Sequence, residues 1–596
     1  MSCESGSTQK IPAKKLYSIL SKKKEEIEAQ SPTFIFQKDF TEGTYIIDKS
    51  GYYVLKENIV FSPNADDDYL PKPDQVKYKT LGYSLGFFAC LVIASKDVYL
   101  NLNGFSISAS EEFVLAQRFF SIIELADAPF LANEGPAKFC TSLKSAENVI
   151  VANGTLGKSS HHGIHANLAN NVLLENLTIA DFEFVGIALN GGHCIVLKDI
   201  EIGPNKQDVP VLATYSAARF AKLFTNHVLS KGILPVDVTD ILKEKLNILQ
   251  NEMDETRADI LAGVRVNSDL FRNESRLPDG NVYGVVIKDE GFAVNDFVNA
   301  TQVLTEKKKK TNNVFLSNVN LKNLKCRVDE VITISTKGGA GATTDVAGSV
   351  LQIDKITAEG KYKPTSLSEL QLYLAEIALK YKIPLGKNNI SVDILSWATK
   401  LEDISSLLRK GYKYKCGGDS MNHFSKGIIG FRFDALNNLF LQKCSFHGLF
   451  NSGVLGNDKK AGNYLKSHDQ AKRNGYFGAD ATGINISYCS DVNISHGKFE
   501  ELFAKHGNAI GINIIFKSDV SLHKCRIENI KAGTLNNRKW MGEDYNGDEI
   551  PYSNTLPNKI PISIGIRIEK DCVVDLDKVS IHDLRSPREP IKVLRE

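Results

Sequence analysis

Nine times along this chain an apolar residue is followed by apolar residues two and seven positions later, starting at Val98, Val149, Val172, Ile195, Val314, Leu439, Val492, Val520 and Val574. Three of these copies follow one another at a fixed period of 23 residues. Val149, Val172 and Ile195 therefore share one column, Val151, Leu174 and Leu197 a second, and Leu156, Ile179 and Ile202 a third. A unit that cannot bury its apolar face alone must stack on its neighbours, so this register selects an elongated repeat architecture over separate lobes. A length of 596 residues, too great for one compact core, fits that choice.

The residue before the first apolar position is Asp97, Asn148, Asn171, Asn313, Asn438, Asp491 or Asp519 in seven of the nine copies. Asn and Asp tolerate the left-handed conformation and bond their own backbone, which marks a tight turn. Small or apolar residues recur five positions on, among them Ile200, Cys444, Cys525 and Val579, so these cysteines read as core packing. A second motif, glycine followed by apolar, variable and apolar residues, begins at Gly163, Gly186, Gly284, Gly430, Gly483, Gly511 and Gly565. In six of the seven the next turn comes at the same interval; only the Gly284 copy breaks it. Short strands, polar turns and no helix within a unit exclude a βαβ reading. They predict an all-β solenoid, a right-handed parallel β-helix of nine to ten coils.

Helical 3.6 periodicity interrupts the rhythm twice. The expected organisation is an N-terminal segment and cap at 1–89, β-helix at 90–205, a helical insertion at 206–280, β-helix at 281–360, a second helical insertion at 361–415, β-helix at 416–585 and a tail at 586–596. Leu16, Ile19 and Leu20 point to a short amphipathic helix expected to cap the rod. A formal net charge of +2 gives no pull towards nucleic acid or anionic membrane. Without a secretory signal or a membrane span, and with ten cysteines lacking CxxC spacing, the chain is expected to be cytoplasmic or virion-borne with reduced thiols. No cofactor or metal motif is expected.

Ile150, Leu173, Val196, Phe315 and Phe440 fall at outward positions and form an apolar stripe that an insertion or another chain must cover. The variable residue of the glycine motif also faces out, giving the column His165, Ala188, Val286, Arg432, Asn485, Asn513 and Arg567. Arg432, Asn485, Asn513 and Arg567 are candidate contacts to sugar hydroxyls or carboxylates. In HHGIH, His161 and His165 are expected to share the outward face, with Asp181, Glu183 and His193 of the next coil as neighbours for acid–base work. The Asp66-Asp67-Asp68 run lacks calcium-ligand spacing, KGGAGATT at 337–344 lacks a phosphate-loop ending, and KKKK at 307–310 reads as a solvated loop.

The runs NVIVANGTL, NVLLENLTI, DVNISHGKF and DVSLHKCRI resemble the pectin-lyase-like superfamily of right-handed parallel β-helices, over roughly 90–205 and 280–585. The cysteine pattern and long insertions are also similar to β-helix proteins encoded by large DNA viruses. The resemblance implies the fold and, through it, polysaccharide partners. Catalytic sets of the superfamily do not carry over: Arg567-Ile568-Glu569 stands where an Arg-Ile-Lys is needed, Ser495-His496-Gly497 and Lys505-His506-Gly507 half-match a Gly-His-Gly, and Arg585-Ser-Pro-Arg-Glu-Pro ends on the wrong residue for a lyase base. The expected function is a rigid rod binding glycan or a neighbouring subunit, as a homo-oligomer or assembly component of a virus particle. The alternative is a lyase or glycoside hydrolase acting on an extended, acidic polysaccharide.

Overall fold

The structure is a computed structural model. It describes residues 9–83, 86–117, 120–131, 142–204, most of 236–261, 282–289, 312–326, 427–451, 480–505, 507–536, 539–543, 549–551 and 560–596, with a few positions between 218 and 229. Two long parallel sheets dominate these residues, one of 17 strands and one of 11, beside a small antiparallel sheet of three. Strands of successive repeats pair in parallel and in register, a solenoid-like stack compatible with a parallel β-helix. Three helices accompany them among the described residues: α1 (Ala13–Glu28), α2 (Glu111–Ala116) and α3 (Val236–Leu261). The last lies in the first expected helical insertion; the second insertion, 361–415, falls outside the described residues, as do 307–310 and 337–344.

All nine first positions form one unbroken column, from Val98 over Val149, Val172, Ile195, Val314, Leu439, Val492 and Val520 to Val574. The third column runs from Leu156 through Ile179, Ile202, Leu321, Phe446 and Phe499 to Ile527 and Ile581. In the Val98 rung the spacing points to Phe105, yet Ile107 fills the column. The turn at Asn103 and Gly104, both at positive φ, lengthens that rung by two residues.

Strands such as Asn170–Phe182 and Val314–Cys326 continue through a bend, so the 17-stranded sheet presents two faces, one carrying the Val149 column and two carrying the Leu156 column. The 11-stranded sheet is face three. Left-handed residues recur at fixed steps of five: Asn148, Asn153 and Lys158; Asn171, Asn176 and Asp181; Asn313, Asn318 and Asn323. The first column of bends is tied by amides, with Asn148 Nδ2 donating to Asp97 Oδ1 (2.9 Å) and Asn171 Nδ2 to Asn148 Oδ1 (2.8 Å). The second is tied likewise, Asn176 to Asn153 (3.0 Å) and Asn318 to Asp199 (2.8 Å). Higher in the stack that second column holds Lys443, His496, Lys524 and Lys578, whose left-handed backbone costs about 1 kcal/mol or more each.

Stacking extends beyond the expected limits. Thr33–Ile35 pairs with Gly51–Leu55, and Tyr45–Ile47 with Ala89–Ile93, so the first rungs lie inside the segment set aside as a cap. Ile591–Arg595, within the expected tail, pairs with Ser563–Ile568 as the last strand of face three. Packed rings of Phe40, Phe61, Phe87, Phe113 and Phe120 fill the interior of the early rungs. Helix α1 does not cap that end. Its Leu16, Leu20 and Ile27 lie over Tyr99, Ile150, Leu173, Val196 and Phe315, with Tyr52 and Phe440 at the margins. The outward apolar stripe is therefore covered from within the chain, by the N-terminal segment. Asn313 and Asn438 hold that segment's backbone at Gln9 and Ile11, while Lys23 and Lys24 pair with Asp97 (2.9 Å) and Glu175 (2.5 Å).

Cys90, Cys444 and Cys489 are buried free thiols, and burial pushes those of Cys444 and Cys489 up to about 12, as core packing requires. Cys194 is disulfide-bonded, so the expectation of uniformly reduced thiols does not hold for it.

On face three each strand steps like a bulge at the motif glycine. A Cβ on Gly163, Gly186, Gly284, Gly430, Gly483 or Gly511 would lie 2.4–2.8 Å from the carbonyl oxygen of the next glycine in the column. Backbone cannot give way there cheaply. Gly511→Ala is expected to cost about 2–3 kcal/mol, as overpacked interiors do. Gly157→Ala, whose Cβ would meet Ala180 O at 3.4 Å, is expected to be near neutral. Melting followed by circular dichroism measures both.

Candidate functional site

The bulge decides which residues share the outward side of face three. Because the chain steps at Gly163, His162 rather than His161 comes beside His165, their rings stacked at 4.7 Å and 15°. His161 turns to the corner, where its ring stacks on Phe184 at 4.8 Å and its Nδ1 meets His162 Nδ1 at 2.9 Å. One of these two nitrogens must carry the proton and the other accept it.

His165 sits over Glu124 of the rung below, with Nδ1 at 2.8 Å from both carboxylate oxygens. Glu124 is fully buried and also accepts from Ser121 Oγ (3.1 Å). Asn190 Nδ2 donates to His165 Nε2 (3.2 Å) and to Asn167 Oδ1 (3.0 Å). This fixes the tautomer, Nδ1–H towards Glu124 and Nε2 accepting from Asn190. With both nitrogens engaged, His165 has no lone pair directed at a ligand. Burial, with His161 and His165 adding to it, holds the His162 imidazole well below its usual value.

The expected five-residue constellation divides. His161, Asp181 and Glu183 occupy the corner between faces two and three; there Glu183 N donates to Ser159 O (3.0 Å), and Phe184 N to His161 O (3.0 Å). His193 begins the strand after Gly191 and Gly192, beyond the far end of Val185–Asn190. Five residue steps of extended chain set the two corners roughly 17 Å apart.

Arg432, Asn485, Asn513 and Arg567 lie on four successive rungs, directly in register. Ala188 and Val286 separate them from His165 by three rungs, about 14 Å. Arg432 donates through Nε to Asp434 (2.8 Å) and through Nη1 to the Tyr283 hydroxyl (3.2 Å). Asn513 Nδ2 donates to Asn485 Oδ1 (2.7 Å). Arg567 turns away to Glu596, at 2.7 and 3.2 Å. Beside this column Ile510, Ile562 and Ile564 form a buried apolar strip with Ile591 and Leu594 against it.

Face two carries a pair whose first member lies in Lys498-Phe-Glu-Glu, which in the sequence reads, with His496, as outward polar residues of a late coil without a motif. Glu500 and Glu528 stand in register on adjacent rungs, within hydrogen-bonding contact, above His447. Lys498 (2.7 Å) and Arg526 (2.6 Å) pair with them from the same strands. Burial alone would raise the Glu500 carboxyl; Lys498, a proton donated by Glu528, and Arg526 outweigh it and leave it below the usual range. The signal was present, since both glutamates directly follow the third apolar column, after Phe499 and Ile527.

Two aspartates of the 66–68 loop have other roles, Asp66 pairing with Lys72 (2.8 Å) and Asp68 with Lys222 (3.3 Å). No group of three or more metal-ligating side chains converges among the described residues. No helix there is long and apolar enough to cross a membrane. No family model matches the chain, and no curated protein matches its sequence.

A histidine held below its free value stabilises the fold as the neutral ring; that contribution is complete above about pH 6.5 and is lost as pH falls towards the folded value. Asp480, pushed up to about 6 by burial, acts in the opposite sense, losing stability as pH rises from about 4 to 6. In an Asp480→Asn background, His162→Gln is therefore expected to flatten the stability–pH slope below pH 6.5, by at most one proton's worth, about 1.4 kcal/mol per pH unit. Urea unfolding at a series of pH values measures it.

Proposed function

We propose that this chain is a right-handed parallel β-helix of the pectin-lyase-like kind that binds an extended glycan along face three, as a rigid component of a larger assembly such as a virus particle. The observation that carries the reading is the in-register run Arg432, Asn485, Asn513 and Arg567, one polar side chain per rung beside an apolar strip. A chain molecule laid along the axis meets a donor or acceptor every 4.8 Å or so without any loop having to order. His165, saturated by Glu124 and Asn190, supports a scaffolding role for the histidine cluster.

A second reading, a glycoside hydrolase or lyase, is favoured by one observation, the paired carboxyls of Glu500 and Glu528. Adjacent rungs set their Cα atoms about 4.8 Å apart, and the two carboxyls would have to part from their present contact to reach the roughly 5–5.5 Å separation that retaining hydrolysis uses.

A glycan array probed with the full-length protein, followed by incubation with the retained glycans, separates the two readings. Binding without release of reducing or unsaturated ends is expected, with Asn485→Ala losing about tenfold in affinity and melting somewhat lower, because Asn513 Nδ2 loses its acceptor. Release of ends that Glu500→Gln abolishes would establish the hydrolase instead, and an array without any retained glycan would remove both.

A further inference from the structure

The amide ladder on face three stops one rung early. Asn513 donates to Asn485, and a residue on the next rung would be expected to donate in turn to Asn513 Oδ1. Arg567 occupies that place, but its guanidinium is turned to Glu596. Asn513 is 8% exposed, and its Oδ1 is buried without a hydrogen-bond partner among the described residues. A buried acceptor left unmade is costly, so this atom is a place where an added donor gains without displacing one.

The geometry points to a subsite, formed by Asn485, Asn513, Arg567 and the Ile510–Ile564 strip, that takes a neutral sugar residue through a hydroxyl donated to Asn513 Oδ1. This rests on the glycan-binding reading above and narrows it. Neutral rather than acidic follows from the partners of the two arginines. Arg432 is held by Asp434, which is 1% exposed, and by Tyr283; Arg567 is held by Glu596. An incoming carboxylate would exchange one carboxylate for another, whereas a hydroxyl fills an empty acceptor. The apolar strip suits the C–H face of a sugar ring, and Arg567, whose side chain is 32% exposed, can turn outward to admit it, because an exposed ion pair holds it weakly.

The test uses the full-length protein labelled with ¹⁵N-asparagine and titrated with methyl β-glucopyranoside or methyl β-glucuronide. The neutral glycoside is expected to shift the Asn513 side-chain amide, and the glucuronide to leave it in place. Asn513→Leu is expected to lose binding of the neutral glycoside at least tenfold while melting as the parent does. Glu596→Gln, by freeing Arg567, is expected to gain glucuronide binding that the parent lacks. A stronger response of the parent to glucuronide would overturn the inference. So would a crystal structure showing an ordered water on Asn513 Oδ1 that the glycoside does not displace. Array binding retained in full by Asn513→Leu would remove this subsite while leaving the broader reading intact. An Asn513 shift with the neutral glycoside, in a protein that retains nothing on the array, would support the subsite and remove the broader reading.

Discussion

In-register parallel pairing is the constraint on which everything else depends. Each rung takes its backbone hydrogen bonds from the rungs on either side, as where Ile195 N donates to Asn313 O, so every residue sits over its counterpart one repeat away. In the interior and at the bends a side chain must fit directly over its counterpart on the neighbouring rung. Branched aliphatics meet that condition in the interior, amides meet it at the bends by donating to one another, and glycine alone meets it at the bulge of face three. The same rule places Glu500 over Glu528 and Lys498 over Arg526, an arrangement of like over like that would be unfavourable were each not compensated along its own strand.

Stacking also produces surfaces that a globular protein would not leave open. The outward apolar stripe on face one arises because one position per rung is hydrophobic, and it ends where Asn493, Ser521 and Asp575 replace the apolar residues. Helix α1 and the residues just before it cover that length, burying Leu16, Leu20 and Ile27 at about 2 kcal/mol each. Ion pairs from Lys23 and Lys24 add orientation more than energy. Among the described residues no helix covers the outward columns of face three, and there the polar run from Arg432 to Arg567 stands.

The interior columns were legible because they depend only on which residues are apolar at which spacing, and that pattern survives translation from sequence to register unchanged. The first column of bends was legible too, since Asn148, Asn171, Asn313 and Asn438 belong to the few residue types that favour a left-handed backbone. Its second column was legible only in the lower rungs, at Asn153, Asn176 and Asn318. Lys443, Lys524 and Lys578 carry no chemical mark of the strain they accept, which the stack imposes on them. The site was less readable for a related reason: strict alternation placed His161 beside His165, and only the bulge at Gly163, a tertiary effect of the glycine column, substitutes His162. Opposite corners of a rung likewise look adjacent in a linear repeat, which is why His193 was grouped with His161. The first rungs escaped notice because Thr33–Ile35 and Tyr45–Ile47 are too short to show a period.

Cysteine cross-linking along one outward column tests the stacking most directly. Asn493, Ser521 and Asp575 stand on three successive rungs of face one. Neighbouring rungs put Cα atoms about 4.8 Å apart, within disulfide reach, and alternate rungs about 9.6 Å apart, beyond it. Under mild oxidation the pairs Asn493→Cys/Ser521→Cys and Ser521→Cys/Asp575→Cys should close, and Asn493→Cys/Asp575→Cys should stay open, with the bonds mapped by mass spectrometry. Closure of the outer pair, or of neither neighbouring pair, would contradict a chain wound rung upon rung.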